Sequence, residues 1–377
     1  MNAIYLDNAA TTFLDKEVIE VMHQSMIDIN GNPSSTHQFG RKAKASIETA
    51  RKNIAKHFNA SAAEIIFTSS GTEADNLILF NAVENLGVKT VITSKVEHHA
   101  VLHTLEYLEK QQNINVKYVD VNDKGSINLE HLEQLLKDTA EKTLVSLMLV
   151  NNEIGSILPI DKVCKLCDDH NALFHSDTVQ AVGQYQIDLQ KTPIDFMVAS
   201  AHKFHGPKGV GFAYFKKGFG IQPMIHGGEQ EKGVRSSTEN VHSIIGMEKA
   251  LEISLKNIEN NSTKIKALKS YFITELKSNF SNISFNGDSD DLENSSYKIL
   301  SVRFPVENNM LLFSLDLAGI AVSGGSACQS GSNKGSHVLH AFLNEDDALK
   351  TSVRFSFSKQ TTKEELDRVV VKLKELL

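Results

Sequence analysis

Lys203 stands just past an apolar run at residues 196–200, in the sequence Ser200-Ala201-His202-Lys203. A lysine at the carboxyl end of a buried strand, in a site dry enough to lower its pKa, can form a Schiff base. Taken alone, it reads as a surface lysine. His175-x-Asp177-x-x-Gln180 ends an earlier apolar run, where a carboxylate is costly unless it meets a cation. Ser69-Ser70-Gly71-Thr72-Glu73 follows Ile65-Ile66-Phe67 and opens a helical pattern. Its first-turn amides and helix dipole could seat a phosphate, or the segment could be a plain N-cap. It matches neither the Walker loop nor GxGxxG, so a mononucleotide or dinucleotide is not favoured. A Schiff-base lysine, a partner for a pyridinium nitrogen and a phosphate seat are the three needs of pyridoxal 5'-phosphate. In combination they imply that cofactor.

Other residues carry chemistry with more than one reading. His98-His99 sits where a helix should begin, and adjacent histidines do not share a helix face as metal ligands three or four apart do. Cys164-x-x-Cys167 has no second CxxC, and Val163, Leu166 and His170 around it keep helical spacing. It reads as two helix residues rather than zinc ligands or a redox pair. Cys328 lies in Ser323-Gly324-Gly325-Ser326-Ala327-Cys328-Gln329-Ser330-Gly331-Ser332. Such small neighbours predict an exposed, mobile thiol able to attack as thiolate; the other reading is an incidental loop cysteine. Arg354, inside the apolar run 351–357, fits a bidentate clamp on a substrate carboxylate or a structural ion pair.

These groups need a scaffold to hold them. Short apolar runs at 65–67, 90–92, 116–121, 144–150, 173–175, 196–200 and 210–215 predict buried strands. Helical patterns at 73–86, 100–111, 129–139 and 161–171 lie between them. That alternation predicts an α/β fold, a large mostly parallel sheet with helices on both faces and ligand chemistry at the strands' carboxyl ends. Beyond residues 218–240 the pattern becomes one long helix, 241–278, then strands near 299–304, 321–322 and 352–357. A last helix opens on the capping-box pair Thr362 and Glu365. This predicts a large domain at 15–255 and a smaller α+β domain built from 1–14 and 256–377, the latter carrying the cysteine loop at about 323–335.

The chain has 377 residues, 41% hydrophobic and 23% charged, the composition of an ordinary soluble protein. Its net charge of −7 is a poor footprint for binding nucleic acid or an anionic membrane. No apolar stretch approaches the roughly 20 residues that span a bilayer. Asp7 and Asn8 follow the start at once, which predicts no secretory signal. An odd count of three cysteines predicts reduced thiols and a cytoplasmic protein.

Taken together, these segments resemble the cysteine desulfurases of the NifS/IscS type, within the class V aminotransferases. The resemblance runs end to end, through residues 5–12, Gly31-Asn32-Pro33-Ser34-Ser35-x-His37, residues 67–76, Glu97-His98-His99-Ala100-Val101 and residues 150–155. It continues through the Asp177/Gln180 and Ser200/His202/Lys203 motifs to Ser326-Ala327-Cys328. It implies the fold-type-I pyridoxal phosphate architecture and a homodimer with active sites near the subunit interface. Lys203 would hold the cofactor and act as base toward the substrate α-proton. His98 would stack on the pyridine ring and help move protons, Asp177 would pair with the ring nitrogen, and Gln180 would bond the ring oxygen. Gly71, Thr72, Ser200 and His202 would hold the phosphate, with Thr238 reaching over from the partner subunit. Asn152 and Arg354 would position the substrate. Cys328 would attack the sulfur of L-cysteine, giving L-alanine and a persulfide for an iron–sulfur scaffold or another sulfur-acceptor protein.

The chain departs from that pattern in places. The usual Arg-Ser-Gly-Thr reads Arg235-Ser236-Ser237-Thr238, which would alter the loop if the glycine needs φ > 0. The usual proline after the cysteine loop is Gly335, expected to loosen it, and the chain stops at Leu377 without the tail by which some relatives dock a scaffold. Rival readings are a selenocysteine lyase or β-eliminating lyase of the same fold, a zinc hydrolase built from His98, His99, His202 and His205, and a catalytically silent scaffold.

Overall fold

The apolar runs of the first half of the chain meet in one sheet. The computed structural model describes residues 3–324 and 335–377. Its strands are β1 (Ile4–Tyr5), β2 (Ile65–Thr68), β3 (Thr90–Ser94), β4 (Asn115–Val119), β5 (Thr143–Ser146) and β6 (Leu173–Asp177). Then come β7 (Phe196–Ser200), β8 (Gly211–Phe215), β9 (Ser284–Phe285), β10 (Ile299–Arg303), β11 (Ile320–Ala321) and β12 (Ser352–Ser356). The large sheet has the order β2-β8-β7-β6-β5-β3-β4. From β7 to β4 every pairing is parallel, whereas β8 runs antiparallel to both β7 and β2. The reversal follows from the short link at residues 201–210, which lacks the crossover helix a parallel return requires. Every residue of β2, β3, β5, β7 and β8 is buried, as in a sheet covered by helices on both faces.

Two predicted elements differ in the structure. The run 144–150 leaves regular pairing after Ser146, although the amides of Leu147 and Leu149 still bond the carbonyls of His175 and Asp177 at 3.1 and 2.9 Å. That buried extension delivers Asn151 and Asn152 to the end of the sheet. The long helix is two, Val241–Lys256 and Ile258–Asn279. Asn257 breaks it, its Nδ2 donating to the carbonyl of Ile253 at 2.8 Å. The first helix packs Ile244, Met247 and Leu251 into the core of the large sheet. The second packs Ile265, Phe272 and Leu276 into another core. The apolar periodicity runs through the break, so it reads as one helix.

The second core is shared by the two ends of the chain. Ile4 and Leu6 join Phe272, Leu300, Val353, Phe355 and Leu373 in it. Around it β12-β10-β9 form an antiparallel sheet, and β1 lies parallel to β11. The last helix, Lys363–Leu376, opens on the capping box of Thr362 and Glu365. Among the described residues no helix is long and apolar enough to cross a membrane.

Candidate active site

The carboxyl ends of β2, β6 and β7 surround a cavity of about 230 Å³. All the residues singled out above for cofactor and substrate line it except Thr238, and Cys328 lies outside the described residues.

Alternation along β6 places His175 and Asp177 on one face of the sheet. Asp177 is 4% exposed, and its Oδ1 accepts from the amide of Val179 at 2.9 Å. Burial pushes its pKa up, against the opposing pull of His98, that amide and Lys203. This carboxylate has no direct ion pair among the described residues, the state expected of a group awaiting a cation. His98 caps the helix His99–Gln112, its Nδ1 accepting from the amide of Ala100 at 3.1 Å. The neutral ring therefore carries its proton on Nε2, and burial lowers its pKa. The turn before it hangs on Glu97, whose Oε1 accepts from Ser94 Oγ and from the Met148 amide at 3.0 and 3.1 Å. Burial pushes the Glu97 carboxyl up to about 8.

Lys203 ends the short helical turn Ala201–Lys203 that follows β7. Its Nζ donates to the carbonyls of Ala9 and Ala10 at 2.7 and 2.9 Å. Gln180 Nε2 donates to the same Ala9 carbonyl at 2.9 Å, leaving Gln180 Oε1 buried without a partner among the described residues. His202 Nδ1 lies 3.1 Å from Thr11 Oγ1, so the N-terminal segment covers the turn along its length. Opposite, Ser70 caps the helix Gly71–Phe80, its Oγ accepting from the amide of Glu73 at 3.2 Å. A Cβ on Gly71 would lie 2.6 Å from Val179 Cγ2, so only glycine lets this helix terminus come so close to the end of β6. The first-turn amides have no helical carbonyl to bond and make an anion seat.

Arg354 on β12 is 2% exposed, and of its two sequence readings the ion pair is the one seen within the chain. Its Nη2 pairs with Asp7 Oδ1 at 2.8 Å and its Nη1 donates to the carbonyl of Asn152 at 2.9 Å. Its Nε is buried with no partner among the described residues, a donor left over in a pocket wall. An amine, a buried carboxylate, an anion seat and orphaned polar atoms at one cavity fit pyridoxal 5'-phosphate.

Several residues fall elsewhere. Thr238 lies in a separate cleft with Phe67, Arg235 and Ser237, outside the cavity of its own chain. Cys164 and Cys167 are buried in the helix Ile160–Asp169, and burial pushes the thiol of Cys164 up to about 12 and that of Cys167 higher. The four histidines of the zinc reading part company. His98 and His202 line the cavity, His205 bonds the carbonyl of Phe13 at 2.8 Å, and His99 packs on His103 and His337 with ring centroids 4.6 and 4.2 Å away.

Asp75, Asp7 and the Ala9 and Ala10 carbonyls escaped the reading of the sequence. Asp75 is 1% exposed and lines the cavity, with its Oδ1 3.3 Å from His175 Nε2. Desolvation pushes its pKa well up. The available signal was its spacing, one helical turn past Gly71 and therefore on the same helix face.

The departures from the family pattern have a structural counterpart. Ser237, in the place of the usual glycine, has φ 119°. The loop keeps a glycine-like backbone and strains the serine. It is fastened by a buried bidentate pair, Arg51 to Glu231 at 2.6 and 2.7 Å, and by Arg235 to Glu73 at 2.7 Å. Relief of about 1–3 kcal/mol of strain exceeds the roughly 0.5–1 kcal/mol glycine costs through the unfolded chain. Ser237→Gly is therefore expected to stabilise the fold by about 1 kcal/mol, read from urea denaturation; a lower midpoint would show the serine to be unstrained. Gly335 has φ 66°, a left-handed turn that proline cannot make.

A family model described as aminotransferase class-V matches residues 4–369. The cysteine desulfurase IscS of Dictyoglomus turgidum (strain DSM 6724 / Z-1310) is 42% identical over 99% of this chain and 96% of its own length. A solved NifS-like protein superposes with a TM-score of 0.90 at 37% identity, covering 99% of each chain. SspA, solved in complex with cysteine, gives a TM-score of 0.80 at 30% identity over 95% of this chain and 100% of its own. The chain thus belongs to the class V aminotransferase family and, within it, to the cysteine desulfurases of the NifS/IscS type.

Proposed function

We propose that the chain converts L-cysteine to L-alanine with pyridoxal 5'-phosphate and takes the sulfur onto Cys328 as a persulfide. The observation that carries this reading is the convergence of Lys203, Asp177 and the open helix terminus at Gly71 on one cavity. When bound, the cofactor supplies an electron sink for the pair left as the substrate's α-proton departs. Asp177 would hold a proton on the ring nitrogen, and the first-turn amides with Ser200 and His202 would donate hydrogen bonds to the phosphate. Gln180 takes the ring oxygen, and His98 covers the ring with its Nε2 proton available. Arg354 and Asn152 receive the substrate, the guanidinium through donors that Asp7 does not use. The Lys203 amine takes the α-proton.

Cys328 thiolate then bonds the substrate sulfur. The carbon–sulfur bond breaks with its electron pair going to the β-carbon, which takes up the proton the thiol had lost, and Lys203 returns the α-proton to complete alanine. Both flanks of the cysteine segment are fastened beside the cavity. Ser323 pairs with Arg354, whose amide donates to the Ser323 carbonyl at 2.6 Å. Ser336 donates to Glu153 at 2.5 Å, and His337 Nε2 bonds the carbonyl of Glu97 at 2.9 Å.

The same reading makes the protein a cytoplasmic homodimer that passes sulfur to an iron–sulfur scaffold or another acceptor. Phe13, Leu14, Ile19, Met26, Ile27 and Phe39 are exposed apolar side chains near the start of the chain that a partner subunit would cover. The position of Thr238 outside its own cavity suits service to that partner's cofactor. Two domains, 15–255 and 1–14 with 256–377, are supported by the core that Ile4 and Leu6 share with the C-terminal elements. Mass spectrometry after mixing with L-cysteine tests the reading. One added sulfur, removable by reductant, is expected on the Cys328 peptide, and its absence while alanine forms would sink the persulfide route.

A further inference from the structure

Lys298 is an amine buried in an unusual place. It is 3% exposed, stands one residue before β10, and makes no ion pair among the described residues. Its Nζ donates to the main-chain carbonyl of Lys203 at 3.1 Å. Burying an ammonium without a carboxylate is costly, so its position calls for a reason. The groups facing it from the 201–205 turn are Lys203, His202 and His205. Beyond His205 lies Asp15, which is itself paired with Lys359 at 2.6 Å. Burial first, and then the charge of Lys203, push the Lys298 amine down to about 7.

The two sides of the Lys203 turn act in opposite senses. On one side the carbonyls of Ala9 and Ala10 accept from Lys203 Nζ and favour its charged form. On the other stands a second lysine, whose charge opposes that form wherever it is protonated, toward and below neutral pH. We propose that Lys298 is a positioning residue for Lys203, clamping its carbonyl and biasing its side chain toward the neutral amine. That neutral amine is what captures a carbonyl compound and what accepts a proton. The inference rests on Lys203 being the residue that holds pyridoxal 5'-phosphate.

The test uses the holoenzyme and three variants, Lys298→Met, Lys298→Gln and Lys298→Arg. The readout is the pH midpoint of the absorbance change of the Lys203-linked cofactor. Removing a positive neighbour raises the proton affinity of a cation, so the Met and Gln variants should move that midpoint up by about 0.5–1 unit. The Arg variant carries the charge at every pH and should hold the midpoint at or below that of the wild type. Cofactor-free Met and Gln variants should also capture added pyridoxal 5'-phosphate about 3–10-fold more slowly at neutral pH, as their neutral amine fraction falls. Gln and Arg both keep a donor for the Lys203 carbonyl, so that pair decides the matter even if Lys298→Met does not fold. Midpoints unchanged in the uncharged variants would overturn the proposal. Borohydride reduction and peptide mapping of the wild type separate the two ideas. Cofactor found off Lys203 refutes the reading of the site, whereas cofactor on Lys203 with an unmoved midpoint refutes only the role of Lys298.

Discussion

Cys328→Ala is expected to retain a full complement of cofactor and to lose desulfurase activity by at least about 10³-fold, the scale set by removing a covalent nucleophile. The two effects separate because the described residues of the cavity, Lys203, Asp177 and Gly71 among them, already suit the cofactor. No other thiol of the chain can substitute. Cys164 and Cys167 are buried in the core of the large sheet, and burial holds both thiols in the protonated, unreactive form. The assay is alanine and sulfide formed from L-cysteine, beside the absorbance of the bound cofactor. Full sulfide release by the variant would identify an eliminating lyase that needs no protein persulfide. Loss of the cofactor together with the activity would place Cys328 in the cofactor site.

What the sequence made legible was what depends on local periodicity and on strand ends. The buried strands appear as apolar runs because both sheet faces are covered, so no polar face interrupts them. Lys203, Asp177 and Gly71 were legible because such sheets present ligands at carboxyl ends. Interactions between distant segments left no such trace. Arg354 offered two readings because its partner Asp7 lies 347 positions away. Asp75 hid inside a well-formed helix, and Lys298 stands just before the run near 299–304, where nothing local marks a buried amine. The split at Asn257 was invisible because one apolar stripe serves two different cores. The backbone at Ser237 was legible only as a missing glycine, since a serine gives no sign that its φ is positive.

Lys203→Ala is expected to abolish turnover, by about 10⁴-fold or more, because on the proposed function it removes a cofactor anchor and a general base in one change. The remaining seat keeps its chemistry. The helix terminus at Gly71, the buried Asp177 and the polar atoms of Gln180 are untouched, so pyridoxal 5'-phosphate should still enter but should leave on dialysis. Borohydride should fix cofactor to the wild type and not to the variant. A variant that keeps a reducible linkage would put the anchor on another amine, with Lys298, at the same turn, the first to examine. The substitution also cuts the two bonds from Nζ to Ala9 and Ala10, which press the N-terminal segment onto the site. Hydrogen bonds are each worth about 0.5–1.5 kcal/mol net, so some loss of stability is expected. Adding a small primary amine separates the causes. Partial recovery of turnover would assign the loss to the missing base, because an amine in solution cannot restore the N-terminal contacts. A variant as stable as the wild type and equally active would leave Lys203 without the role its position assigns.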